Sequence, residues 1–192
     1  MSIRYKIFGA FSVVILLACG LAYYGIRGIS TAGDQVVRLY DGPLMGINHA
    51  RSAHAGFNEA RLIMQRSLTD GATGEAVARF EKLVRNISED LGVVRDRVQS
   101  ATVKAAREKA EAGLRGWSGA GLKILKPAPG GLTEIPTTFS LMQQGDEAVA
   151  ALDDLVELVA AYGFDFRTEA EASVAAARTS SLEMSFSASA NV

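Results

Sequence analysis

A strip of polar side chains is the feature of this 192-residue chain best suited to chemistry. Its members recur in alternating steps of three and four residues, which places them on one face of a helix. Guanidinium groups bind carboxylates through paired hydrogen bonds, so the strip predicts binding of a small anion. The same pattern also fits a strip that lies in solvent or pairs with Asp and Glu of a neighbouring helix. The polar strip consists of Arg51, His54, Asn58, Arg61 and Gln65.

Other kinds of chemistry have little support in the sequence. The chain contains no P-loop, no G-x-G-x-x-G, no H-E-x-x-H and no G-x-S-x-G motif. The two histidines, His49 and His54, lie about 140° apart around a helix axis, so they do not converge on a metal. We therefore predict a non-catalytic protein with no metal and no cofactor.

Composition excludes several further classes of protein. The formal net charge is −1, so the chain lacks the basic surface of a nucleic-acid-binding protein, and we expect no nucleic-acid partner. One cysteine cannot form an intramolecular disulfide or a cysteine metal cluster. An aromatic content of 7% is low for a β-sandwich and ordinary for packed helices.

Four stretches of the chain carry apolar residues at helical spacing, and sustained strand-like alternation is absent from the sequence. An all-α fold follows. The second stretch has the most regular seam, with steps of three and four residues typical of helices in a left-handed bundle. The stretches run from about Arg27 to Thr69, from Thr73 or Gly74 to Val98, from about Thr102 to Leu125 and from about Ser140 to Thr179.

The connections between these stretches predict how the helices are arranged. Pro43 follows Gly42 inside the first stretch, so we expect it to kink or divide that helix. A Pro/Gly-rich loop begins at Lys126 and includes Pro136, whereas the other connections are only a few residues long. Short connections favour antiparallel neighbours, and we predict an up-down-up-down antiparallel four-helix bundle.

The N-terminus predicts a membrane segment. No charged residue lies between Ile7 and Ile26, and about 20 apolar residues in a helix match the thickness of a bilayer's hydrocarbon core. Arg4 and Lys6 precede this run, so the positive-inside rule places residues 1–6 in the cytoplasm. We predict an N-terminal transmembrane helix over 7–26, an extracytoplasmic bundle over 27–179 and a tail over 180–192.

A lipoprotein is the alternative reading of this N-terminus. Leu16-Leu17-Ala18-Cys19 resembles a bacterial lipoprotein cleavage site, with Cys19 as the lipidated residue. The chain would then be an exported helical bundle or a structural adaptor without a sensory role. Residues 20–26 stay apolar after the cysteine, whereas a lipoprotein usually turns polar there, so we favour the retained anchor.

Two stretches resemble the sensor half of bacterial methyl-accepting chemotaxis receptors, and more narrowly their four-helix-bundle sensor class. They are YDGPLMGINHARSAHAGFNEARLIMQRSL at 40–68 and AAYGFDFRTEAEASVAAART at 160–179. The resemblance implies a homodimer in the bacterial inner membrane whose periplasmic bundle binds a small ligand or a periplasmic binding protein for chemotaxis signalling. In such receptors, arginines on the first sensor helix hold small anionic ligands, which points to Arg51 and Arg61 here.

The sequence departs from that family after Arg178. No run there is long enough to span a bilayer, and neither a HAMP segment nor a methylation helix follows. We therefore expect a truncated receptor or a stand-alone sensor subunit. The sequence does not identify the ligand.

Overall fold

The computed structural model describes residues 3–126 and 137–189, with side chains described as far as Ala176 apart from Lys6. In these ranges the chain is helical between short connections and contains no strand, which confirms the all-α prediction. The chain divides into two compact units, Met1–Arg38 and Leu39–Val192. The elements are α1 (Ile3–Leu39), a π-helical turn (Tyr40–Leu44), α2 (Met45–Asp70), α3 (Gly74–Arg97), α4 (Ala101–Leu125) and α5 (Thr138–Ser189).

Helix α1 makes up the first unit and is almost wholly exposed. It contains an 18-residue segment with a mean hydropathy of 2.1, and none of that segment is buried. The helix is therefore long and apolar enough to cross a membrane, by length and composition. Its large exposed side chains include Phe8, Leu16, Leu21 and Tyr24.

Pro43 lies where the first predicted stretch is divided, as expected. Helix α1 ends at Leu39, the π-helical turn covers Tyr40–Leu44, and α2 begins at Met45. Proline has no backbone N–H and its ring clashes with the preceding turn, so a widened turn replaces regular α-helix here. Pro43 itself is buried against α5, where a Cβ at Gly163 would lie only 3.2 Å from the proline Cβ.

One hydrophobic core holds the second unit together. Helix α2 packs against α3 and α5, and α4 packs against the same two helices. Phe57, Phe80 and Trp117, from three different helices, meet at its centre with ring centroids 4.6 Å and 5.4 Å from the tryptophan. The predicted seam of α3 is buried except for a half-buried Val84: Val77, Phe80, Ile87, Leu91, Val94 and Val98.

The connection between α2 and α3 follows the turn chemistry of the sequence. Gly71 has a φ of 89°, a left-handed conformation that glycine adopts without strain. The Thr73 side chain then accepts a hydrogen bond of 3.1 Å from the Ala76 backbone N–H and caps α3. The predicted start of this helix at Thr73 or Gly74 is confirmed.

The boundary between the compact units and the end of α5 each lie beyond the nearest segment end in the sequence. The two units meet at Arg38 and Leu39, whereas the uncharged segment ends at Ile26. Helix α5 continues to Ser189, whereas the fourth stretch was expected to end at about Thr179. Residues 180–189 contain no Gly or Pro, and serine lowers helix propensity only moderately, so nothing stops the helix at Thr179. Most of the predicted Pro/Gly-rich loop, from 127 to 136, falls outside the described residues.

Candidate functional site

Helix α2 presents the polar strip at the edge of its buried face. Ala50, Ala53, Phe57, Ala60 and Met64 are all buried and fix the orientation of the helix. The polar strip lies beside this row of buried residues. His54, Asn58 and Arg61 are consequently half-buried, whereas Arg51 and Gln65 are exposed.

Arg61 is joined to α5 by an ion pair. Its Nη2 donates a hydrogen bond to Oδ1 of Asp146, which lies in the third turn of α5. The arginine side chain is 24% exposed and that of Asp146 is 69% exposed. The guanidinium is thus held against the bundle while its carboxylate partner lies mainly in solvent.

A glycine on α5 creates the space that Arg61 occupies. A Cβ at Gly145 would lie 3.3 Å from Arg61 Nε and 3.1 Å from Trp117 Nε1. Both distances are tighter than ordinary van der Waals contact, so a larger residue would displace the arginine or the indole. Helices α2, α4 and α5 therefore meet at Gly145, with Arg61 at the solvent edge of the junction.

His54 makes a second link to α5. Its Nε2 lies 3.2 Å from Oδ1 of Asp153 and 3.2 Å from Nδ2 of Asn58. A protonated Nε2 donates to the carboxylate, whereas an unprotonated Nε2 accepts from the amide. Nε2 of His54 thus lies within reach of two partners, a carboxylate on α5 and an amide on its own helix.

The two links to α5 share one register. Arg61 follows His54 by seven residues, and Asp153 follows Asp146 by seven residues. Both pairs therefore lie along one α2–α5 interface, two helical turns apart. Among the described residues, the side chains of Arg51 and Gln65 have no hydrogen-bond or ion-pair partner.

The structure therefore brings three members of the polar strip together with two carboxylates that the sequence analysis did not select. Asp146 and Asp153 carry no motif of their own. Their spacing of seven residues matches that of His54 and Arg61, but Glu147 and Asp154 have the same spacing, so it does not single them out. His54 and Arg61 thus pair with carboxylates of a neighbouring helix, whereas Asn58 bonds to His54.

His49, the other histidine, contacts a different helix. Its Nδ1 lies 2.6 Å from Oδ1 of Asp90 on α3. The two histidines thus face α3 and α5 respectively. Within the described parts of the chain, no group of three or more His, Cys, Asp or Glu side chains is arranged to hold a metal ion.

A separate cavity of about 660 Å³ lies where α3 leads into α4. Arg107 lines it and is only 8% exposed, with its guanidinium bonded to Glu111. Arg95 and Asp96 also line it, and a 2.9 Å hydrogen bond from Arg95 holds the pKa of the Asp96 carboxyl below its ordinary value. Each arginine in this cavity already has a carboxylate partner.

Comparisons with known proteins return no match for this chain, whether with family models, curated proteins or solved structures.

Proposed function

We propose that this chain is a membrane-anchored sensor of the chemoreceptor type, whose extracytoplasmic bundle binds a small anion. The observation that carries the proposal is Arg61, a partly exposed guanidinium held at the junction of α2, α4 and α5. An arginine in this place offers paired donors to a carboxylate at an interface between helices. The resemblance of 40–68 and 160–179 to chemoreceptor sensor helices supports the same reading.

The bundle is an up-down-up-down antiparallel arrangement in this proposal. Interhelical pairs support it, because the residue number on one helix rises as that on its partner falls. His54 contacts Asp153 and Arg61 contacts Asp146, so α2 and α5 run in opposite directions. The short connection between α2 and α3 likewise favours opposite directions for those two helices.

The anchor is the apolar part of α1, which crosses the bacterial inner membrane once. Arg4 and Lys6 keep the N-terminus in the cytoplasm, so the bundle lies in the periplasm. The exposed apolar surface of α1 supports this anchoring, because lipid covers in a membrane what water would otherwise contact.

Sensing requires two helix arrangements that bind the ligand with different affinity, since equal affinity shifts no equilibrium. In this proposal the chain forms a homodimer, and the ligand is a small anion or a periplasmic binding protein. Small displacements of one helix along another then report binding. Arg51 lies exposed ten residues before Arg61 on the same helix and offers a second guanidinium to the ligand.

A thermal-unfolding screen of the full chain in detergent tests the proposed function. Organic acids and amino acids are added one at a time, and at least one is expected to raise the unfolding temperature. Arg61→Ala abolishes that increase. Arg79→Ala is the matched control, because Arg79 also pairs with a carboxylate across two helices but lies outside the polar strip. Equal responses of the two variants would contradict the assignment of Arg61.

The lipoprotein alternative gives a different outcome in a separate experiment. If Cys19 were lipidated, Cys19→Ser or globomycin would change the electrophoretic mobility of the membrane-bound chain. We expect no change in mobility, because α1 stays intact as the anchor.

A further inference from the structure

We propose that Asp146 is an internal counter-ion that occupies the anion position on Arg61 until a ligand carboxylate replaces it. This inference rests on the proposed function and adds how the site is regulated. In the absence of ligand, the contact between Asp146 and Arg61 both blocks the guanidinium and ties α5 to α2.

The packing around Arg61 leaves room for one carboxylate at a time, either that of Asp146 or that of the ligand. The arginine is about three-quarters buried, and its Nε lies against Gly145. The edge of the guanidinium that carries Nη2 is bonded to Asp146. A second carboxylate at that edge would lie beside the first, and two adjacent negative charges repel each other. The incoming anion therefore binds as Asp146 leaves.

Asp146 is well placed to leave. Its side chain is 69% exposed, so its carboxylate regains hydration as soon as it separates from Arg61. Asp153 retains its own contact with His54 two helical turns away. Among the described residues, ligand binding thus removes the Asp146–Arg61 link between α2 and α5 and leaves the Asp153–His54 contact in place.

This exchange couples occupancy of the site to the position of α5. The unliganded arrangement carries the Asp146–Arg61 pair, and the liganded arrangement lacks it. The ligand consequently has different affinity for the two arrangements, as sensing requires. An ion pair of this type, with one partner largely in solvent, reduces the apparent affinity of a competing anion by about fivefold.

Succinate titration of the full chain in detergent tests the inference, with succinate as the probe of carboxylate binding. Trp117 is the only tryptophan and adjoins Arg61 across Gly145, so its fluorescence reports the site directly. Asp146→Asn keeps the side-chain shape and removes the charge. Asp154→Asn is the matched control, because Asp154 is also an exposed α5 carboxylate but pairs with Lys109, at 3.3 Å.

Asp146→Asn is expected to bind succinate about fivefold more tightly than the unmodified chain, with Asp154→Asn unchanged. Adding Arg61→Gln to Asp146→Asn abolishes the gain. Equal succinate affinity of the unmodified chain and Asp146→Asn would overturn the counter-ion role, and so would an absence of succinate binding by Asp146→Asn. Circular dichroism checks that each variant retains its helix content.

The outcomes separate this inference from the proposed function. If no organic acid stabilises the unmodified chain but Asp146→Asn binds succinate through Arg61, the counter-ion role stands and the sensory role fails. If the unmodified chain responds to an organic acid through Arg61 and Asp146→Asn gains nothing with succinate, the sensory role stands and the counter-ion role fails.

Discussion

Replacing Phe80 with alanine is expected to remove much of the stability of the helical bundle. Phe80 is 0% exposed, and its ring centroid lies 5.4 Å from that of Trp117. A Cβ at Gly121 would lie 3.4 Å from Phe80 Cζ, so the ring fills the space between α3 and α4. Truncating a phenylalanine in a close-packed core costs about 3–5 kcal/mol, because the lost burial is accompanied by a cavity.

That cost is large beside the whole stability of a domain, which is about 5–15 kcal/mol. For a bundle of this size it lowers the unfolding temperature by roughly 10 °C. Urea unfolding of the full chain in detergent, followed by circular dichroism at a helical wavelength, gives the free energy of unfolding. Trp117 fluorescence is a less suitable probe here, because the substitution changes the environment of the indole itself.

Phe164→Ala is the matched control for Phe80→Ala. Phe164 lies on α5 and is 69% exposed, so its removal is expected to change the free energy of unfolding by less than about 0.5 kcal/mol. The two variants remove the same atoms from different surroundings. If their losses of stability were equal, the assignment of Phe80 to a core shared by three helices would be refuted.

Three further predictions concern a helix cap, a perturbed carboxyl group and the membrane segment. Thr73→Ala lowers the free energy of unfolding by about 1 kcal/mol in urea, while Thr73→Ser retains the cap on α3. NMR titration places the pKa of Asp96 below its ordinary value, and Arg95→Gln returns it toward that value. Because this folded-state pKa is lowered, the pair's contribution to stability is present above the ordinary pKa and is lost as the pH falls through the folded one. Leu16→Arg with Leu17→Arg disfavours membrane insertion by about 5–7 kcal/mol and moves the chain out of the membrane fraction, whereas alanine at both positions does not.

Much of the fold could be predicted from the sequence, because it depends on periodicity and on residues that end helices. The seam from Val77 to Val98 specifies one buried face of α3, and Thr73 and Gly71 mark where that helix starts. Pro43 correctly predicts that the first stretch is divided into two helices. The end of α5 could not be predicted, because the residues after Thr179 neither break a helix nor complete a regular apolar face.

The sequence predicts the part of the candidate site that lies on α2 but not the part that lies on α5. Helical spacing is sufficient to group Arg51, His54 and Arg61, since that calculation involves one helix. Finding Asp146 and Asp153 requires the register between α2 and α5, which packing sets and which the spacing on either helix alone does not determine. The role of Gly145 could not be predicted from the sequence either, because it depends on the close approach of Trp117 and Arg61.

Cysteine accessibility in intact cells tests the central claim most directly, namely that α1 crosses the membrane and leaves the bundle outside the cytoplasm. Cys19→Ser removes the only native cysteine. In that background, Arg85→Cys places a thiol on the exposed surface of α3, and Ser2→Cys places one before the apolar segment. A membrane-impermeant maleimide applied to spheroplasts is expected to label Arg85→Cys at once and Ser2→Cys only after permeabilisation. Protection of Arg85→Cys in intact spheroplasts would contradict the account.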